Sequence, residues 1–246
     1  MEESLLYLLA VNTITTLGAL LQGSVGFGLG LISVPLLTLI NPRFIPAPLL
    51  LAALILNLLI FNRELPHAEF KTVGWAVSGR LVGAVIGGLI LKIIPGNYLN
   101  LLFGTMVIMA VLLTAIKLKI PRNSTNILIA GTASGIMGTT SSIGGAPLAI
   151  VFQHEQGPRI RASLSVIFIF GTILSLVSLF FIGRLGITEL ILTLQLLPGV
   201  LLGFLLSRKT ADTLDRGFIR LAIPVSYTHL RAHETRHDLV CRLLLE

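Results

Sequence analysis

The sequence predicts an all-α membrane protein. It reads as a polytopic helix bundle of two inverted-topology repeats, each a Gly/Pro-broken first segment followed by three transmembrane helices, with the last helix of the second repeat incomplete. Three observations carry this reading. Hydrophobic residues make up 54% of the chain and charged residues 12%, with a mean hydropathy of +0.93, too little polar surface to coat a water-soluble globule. Apolar runs of the length that crosses a bilayer, roughly 17 to 25 residues, recur along the chain. A glycine-rich pattern in the first half returns in the second.

The first repeat, 1–116, opens on a long irregular apolar stretch (5–40) and continues with runs at 46–62, 72–91 and 98–116. A basic linker, 117–125, leads to the second repeat, 126–224, which opens on a similar stretch (126–152) and continues at 160–182 and 188–206. The first run follows Glu2 and Glu3 rather than a basic segment, so no cleaved signal peptide is expected. A single cysteine, Cys241, excludes an intrachain disulfide.

The net charge of +7 suits basic loops on one face of a membrane better than a nucleic-acid surface. If each long opening stretch crosses the bilayer an even number of times, one side collects Arg63, Lys71, Lys117, Lys119, Arg122, Arg159, Arg161, Arg208, Lys209 and Arg216. The other side then holds only Arg43, Lys92 and Arg184. An odd number of crossings divides the same residues almost evenly. The even reading therefore places the crowded face in the cytoplasm and the N-terminus outside, and it makes the second half inverted relative to the first.

The repeat is visible in the residues. Gly23, Gly26, Pro35 and Leu36 match Gly135, Gly138, Pro147 and Leu148 at an offset of 112, and Gly88 and Phe103 match Gly203 and Phe218 at 115. Paired interruptions of this kind mark the binding site of many secondary transporters. Glycine permits non-helical backbone and proline breaks the hydrogen-bond ladder, while irregular backbone at membrane depth needs protein or a water-filled cavity to satisfy it. GSVGFGLGLISVP and GIMGTTSSIGGAP therefore read as discontinuous segments whose helix N-termini meet and attract an anion. The expected ligands are Gln22, Ser24, Gly26 and Gly28 from the first copy and Thr139, Thr140, Ser141, Ser142, Gly144 and Gly145 from the second. The competing reading makes these glycines helix-packing faces of the small-xxx-small type.

Charged residues inside the runs are few. Arg80 lies near the middle of 72–91, and its planar fork of donors suits an oxyanion, which makes it the first choice for a substrate-binding charge. Gln195 stands at the matching place in the second half as a hydrogen-bonding neighbour. Arg161, at the start of a run, reads as a positive-inside anchor. Every carboxylate before residue 225 falls in a loop or at a run end, so no buried Asp or Glu is expected to relay protons. Coupling would then rest on protons carried by a weakly acidic substrate, or the protein would be a uniporter.

The glycine-rich segment with its proline, TTSSIGGAPLAIVFQ (139–153), RAS (161–163), SGRLVGAVIGG (78–88) and LLPGVLLGFLLS (196–207) together resemble the TauE/SafE family of sulfite-exporter-like permeases over roughly residues 5–224. The resemblance implies a permease of the bacterial cytoplasmic (inner) membrane that moves sulfite, organosulfonates or related small sulfur-containing anions, without cofactor or nucleic-acid partner. The first copy departs from the family's tight GIGGG by reading GFGLG (26–30).

From Val225 the chain turns polar, VSYTHLRAHETRHDLVCRLLLE, where the repeat calls for a further apolar helix. This string (225–246) resembles translated adapter read-through and is set apart from the fold. His229, His233 and His237 share one helical face there but lack a completing thiol or carboxylate arrangement, so no metal is expected. An intramembrane enzyme is disfavoured because residues 1–224 have no HExxH, no GxSxG and no pair of intramembrane aspartates, and the one HExxH, HETRH (233–237), falls in the string set apart from the fold. An anion channel of the same architecture, or a non-transporting scaffold or sensor subunit, are the alternatives.

Overall fold

The computed structural model describes residues 2–67, 70–115, 120–153, 155 and 157–243, with 2–4, 67, 70–72, 97 and 216–243 described as backbone only. His229, His233, His237 and Cys241, together with Lys71, Lys117, Lys119 and Arg216, thus have side chains outside the described residues. The described residues form nine α-helices and no strand. In order these are α1 (Glu2–Val25), α2 (Leu29–Ile40), α3 (Ala47–Glu64), α4 (Phe70–Ile93), α5 (Leu99–Ala115), α6 (Ser124–Ser141), α7 (Gly145–Phe152), α8 (Gly157–Phe181) and α9 (Ile187–Leu243).

Five segments are long and apolar enough to cross a membrane: Leu5–Val25, Ala47–Glu64, Val73–Ile93, Gly157–Phe181 and Ile187–Asp215. Their outward faces carry exposed Leu81, Val85, Leu89, Leu201 and Leu205, an apolar surface that suits lipid rather than water. Each long opening stretch is split, 5–40 into α1 and α2 and 126–152 into α6 and α7. α9 continues past Leu206, where the sequence suggests a span end. In its polar continuation Thr210 meets the Ser24 hydroxyl at 2.6 Å and Asp215 accepts from the Arg161 guanidinium at 2.7 Å.

The helices pack reciprocally across the two halves. α1 lies against α9 and α6 against α4, while α3 and α8 face each other between these pairs. One apolar core joins Val11, Leu37 and Leu56 to Val200 of α9, and a second joins Ala76 of α4 to Ile127, Leu148 and Leu164. The α4–α6 contact is made at backbone distance. A methyl on Gly83 would overlap the Thr132 carbonyl, and one on Gly135 would meet the Arg80 carbonyl at 2.6 Å. Gly23 packs against Ser207 in the same manner, so it and Gly135 serve as packing faces.

The helix ends sort into two groups. The C-terminal ends of α1 and α3 meet the start of α8, with Arg63 Nη2 donating to the Gly23 carbonyl at 2.5 Å and Arg161 Nη1 to that of Ser24 at 3.2 Å. Because α1 and α3 finish at one end, α2 has to run back toward the start of α3, and it lies along α1 with Leu29 and Ser33 beside Gly18, and against α5 on another side. At the opposite end Arg184 donates to the Leu91 carbonyl at 3.0 Å and lines a cavity with Arg43, Asn41 and Glu189.

Replacing Gly83 by alanine is expected to lower the apparent Tm in detergent, an overpacking penalty of about 1 to 3 kcal/mol. Gly104→Ala, at a site with nothing within 4 Å of the added methyl, should leave the Tm unchanged or raise it. Fluorescence-detected thermal unfolding of both variants checks the contrast.

Candidate functional site

The two helix breaks meet each other. α1 stops at Val25, and the chain turns through Gly26 (φ 102°) and Gly28 (φ 138°), values that only glycine holds without strain, before α2 begins. α6 stops at Ser142, in left-handed geometry at φ 63°, and α7 begins at Gly145. A methyl on Gly30 would overlap the Ser142 carbonyl, which puts the start of α2 directly against the second break. The caps Gly28 and Gly144 have no side chain for the first-turn N–H groups, and those groups have no carbonyl one turn earlier.

Between the breaks lies a cavity of about 40 Å³, lined by the first residues of both α2 and α7, by Gln22, Asn57 and Ser142, and by Arg80, Phe168 and Thr172. Arg80 reaches it from α4 and is 2% exposed. Its Nη1 donates to Ser134 Oγ at 3.0 Å, and Ser134 in turn donates to the Gly144 carbonyl, tying the guanidinium to the cap of α7. Its Cζ lies 5.2 Å from the Phe168 ring centroid. Space for it comes from Gly171, where any Cβ would overlap Nε. That Nε is buried without a hydrogen-bond partner, and among the described residues no carboxylate pairs with Arg80.

Arg80, Gln22, Gly28, Ser142, Gly144 and Gly145 of the residues anticipated from sequence come together here. Gln22 is engaged on both sides: Nε2 donates to Asn57 Oδ1 at 2.9 Å, and Oε1 accepts the Leu29 N–H at 3.1 Å, capping α2. Ser142 Oγ donates to the Pro46 carbonyl at 2.9 Å. Ser24 and Gly26 lie toward Arg161 instead. Thr139 shares a hydrogen bond with Ser175, while Thr140 and Ser141 donate to carbonyls four residues back in α6, an option always open to a helical hydroxyl. Gln195 lies on α9 away from the cavity, its Oε1 buried without a partner.

Asn57, Ser134, Phe168, Gly171 and Thr172 were not anticipated. Asn57 carried a signal, being the one polar side chain in the middle of LLLAALILNLLIF (49–61). The others carried none, because they serve Arg80 only through contacts between helices distant in sequence.

The two carboxylate and anchor expectations change. Glu64 does sit at a span end, but it is 6% exposed, held by Arg63 and Arg161 at 2.9 and 2.8 Å. Arg161 is 3% exposed and also pairs with Asp215 through two donors, so it is a buried cross-brace and not a loop anchor.

Apolar spans around a buried polar cavity, with paired helix breaks and an uncompensated arginine, define a multi-pass α-helical membrane protein with an internal polar site. A family model described as Sulfite exporter TauE/SafE matches residues 12–227, and the chain belongs to this family of membrane transporters. Neither the curated proteins nor the solved structures contain a match to it.

Gln22→Leu should leave the Leu29 N–H and Asn57 without partners and lower stability by about 1 to 3 kcal/mol. Thermal unfolding checks this, with Ser78→Ala, an exposed hydroxyl that donates only to the Gly74 carbonyl of its own helix, expected to change far less.

Proposed function

We propose that the chain is a secondary permease that carries a small sulfur oxyanion through the Arg80 cavity by alternating access. The observation that carries the reading is a guanidinium with an unpartnered buried N–H and no carboxylate partner, facing a cavity onto which two helix N-termini open. Both features raise the potential where an anion would sit, and neither is neutralised. A cavity of about 40 Å³ suits a small ligand, which favours sulfite over a bulkier organosulfonate.

The reciprocal packing of α1 on α9 and α6 on α4 supports two halves of inverted topology, 1–116 and 126–224, joined by 117–125. The gathering of Arg63, Arg161 and Arg208 at one end supports placing that end in the cytoplasm of a bacterium, with the N-terminus outside. Protons would cross with sulfite in its weakly acidic form or not at all, because among the described residues no carboxylate pairs with the cavity cation. A small cavity set between paired helix breaks favours a carrier over a channel.

Proteoliposomes loaded with labelled sulfite provide the test. Saturable efflux with counterflow is expected, competed by unlabelled sulfite and not by chloride. Arg80→Ala should cut it by at least tenfold, and Gly171→Ala, which displaces the guanidinium without removing it, should do nearly the same. Undiminished flux through a folded Arg80→Ala protein would sink the assignment.

A further inference from the structure

One residue borders both the Arg80 cavity and a second, larger space. Beyond Phe27 lies a vestibule of about 410 Å³ lined by Ser24, Arg161 and Asp215, and Phe27 is the one residue among those described that lines both. Its backbone sits between Gly26 and Gly28, both at positive φ, so the chain on each side of it can rotate where other residues cannot. Its Cβ rests on the first residue of α7, 2.8 Å from where a Cβ on Gly145 would stand.

The seat of Phe27 is fixed from behind by Arg161. Gly26 packs on the Arg161 backbone and side-chain stem. The same guanidinium binds the Ser24 carbonyl at the end of α1, Glu64 at the end of α3 and Asp215 on α9. One cation on α8 therefore ties α1, α3 and α9 together behind the glycine-flanked turn that carries Phe27. Asp215 is the exposed member of this set, its side chain 23% accessible against 8% for Glu64, so it is the pair solvent can loosen first.

We propose that Phe27 is the gate between the Arg80 cavity and the Arg161 vestibule, and that the ion pairs of Arg161 with Glu64 and Asp215 are the latch that holds it shut. The glycine-flanked break then has two tasks, since it presents the N-terminus of α2 to the cavity and supplies the hinge of the gate. The inference rests on reading the Arg80 cavity as the transport site, yet its test needs no transport.

In a Cys241→Ser background, Thr172→Cys introduces a thiol on the cavity wall, and Thr213→Cys, an exposed position on α9 near Asp215, marks the vestibule face of the membrane. Modification by methanethiosulfonate ethylsulfonate is timed in vesicles of each orientation with no sulfite present. The cavity thiol should react slowly from both sides in the parent. Phe27→Ala should speed its reaction about tenfold or more from the face that Thr213→Cys identifies and leave the opposite face unchanged. Asp215→Asn should give a smaller rise from the same face. Phe27→Leu replaces Phe27→Ala if that protein is not monodisperse on size exclusion. Rates equal to the parent in folded Phe27 and Asp215 variants would overturn the proposal, as would a rise of equal size from both faces.

Discussion

A guanidinium enclosed by apolar helices has to be solvated by something other than water, and the arrangement around Arg80 follows from that constraint. An arginine at the centre of a membrane-spanning helix costs about 3 kcal/mol even on the most lenient scale. The usual remedy, a buried carboxylate, would cancel the charge along with the cost. Here the solvation is neutral instead: the hydroxyl of Ser134, the face of Phe168 and the space left by Gly171. The charge survives, and with it an attraction for anions that the N-termini of α2 and α7 reinforce.

Those N-termini exist at this depth only because two helices are broken, and the breaks are tolerated only because they satisfy one another. Gln22 takes the Leu29 N–H, Ser134 holds the Gly144 carbonyl, Ser142 holds that of Pro46, and the start of α2 lies against Ser142. Close approach of α4 and α6 through Gly83 and Gly135 is what brings Arg80 within reach of Ser134. The glycines of the two breaks differ in geometry position by position. Gly23 and Gly135 pack helices; Gly28, Gly144 and Gly145 line the cavity.

The charged end of the bundle obeys the opposite rule from its middle. Arg161 and Glu64 are buried there, Arg63 and Asp215 partly exposed, and opposite charges pair directly. Paired charges can hold helix ends together and can also be released, because the partially exposed Asp215 can exchange its guanidinium for solvent. Neutral dipoles at the cavity leave one cation without a counter-charge, and ion pairs at the end give the other the task of bracing.

Much of this was legible in the chain itself. Composition and run length determined a membrane bundle, and the paired glycine-proline segments located both breaks, because backbone permissiveness and hydrophobicity are local properties written residue by residue. Arg80 stood out because a charge in an apolar run has no local explanation. The hydroxyls of Thr139, Thr140 and Ser141 looked equally inviting, yet they turn to other groups of the protein, a choice between ligand and backbone carbonyl that composition does not encode. Tertiary structure alone decided that Glu64 and Arg161, which read as loop charges, are buried against each other, and that Ser134, Phe168 and Gly171 surround Arg80. Each of those facts is a distance between helices far apart in sequence, and such distances arise only when the helices pack.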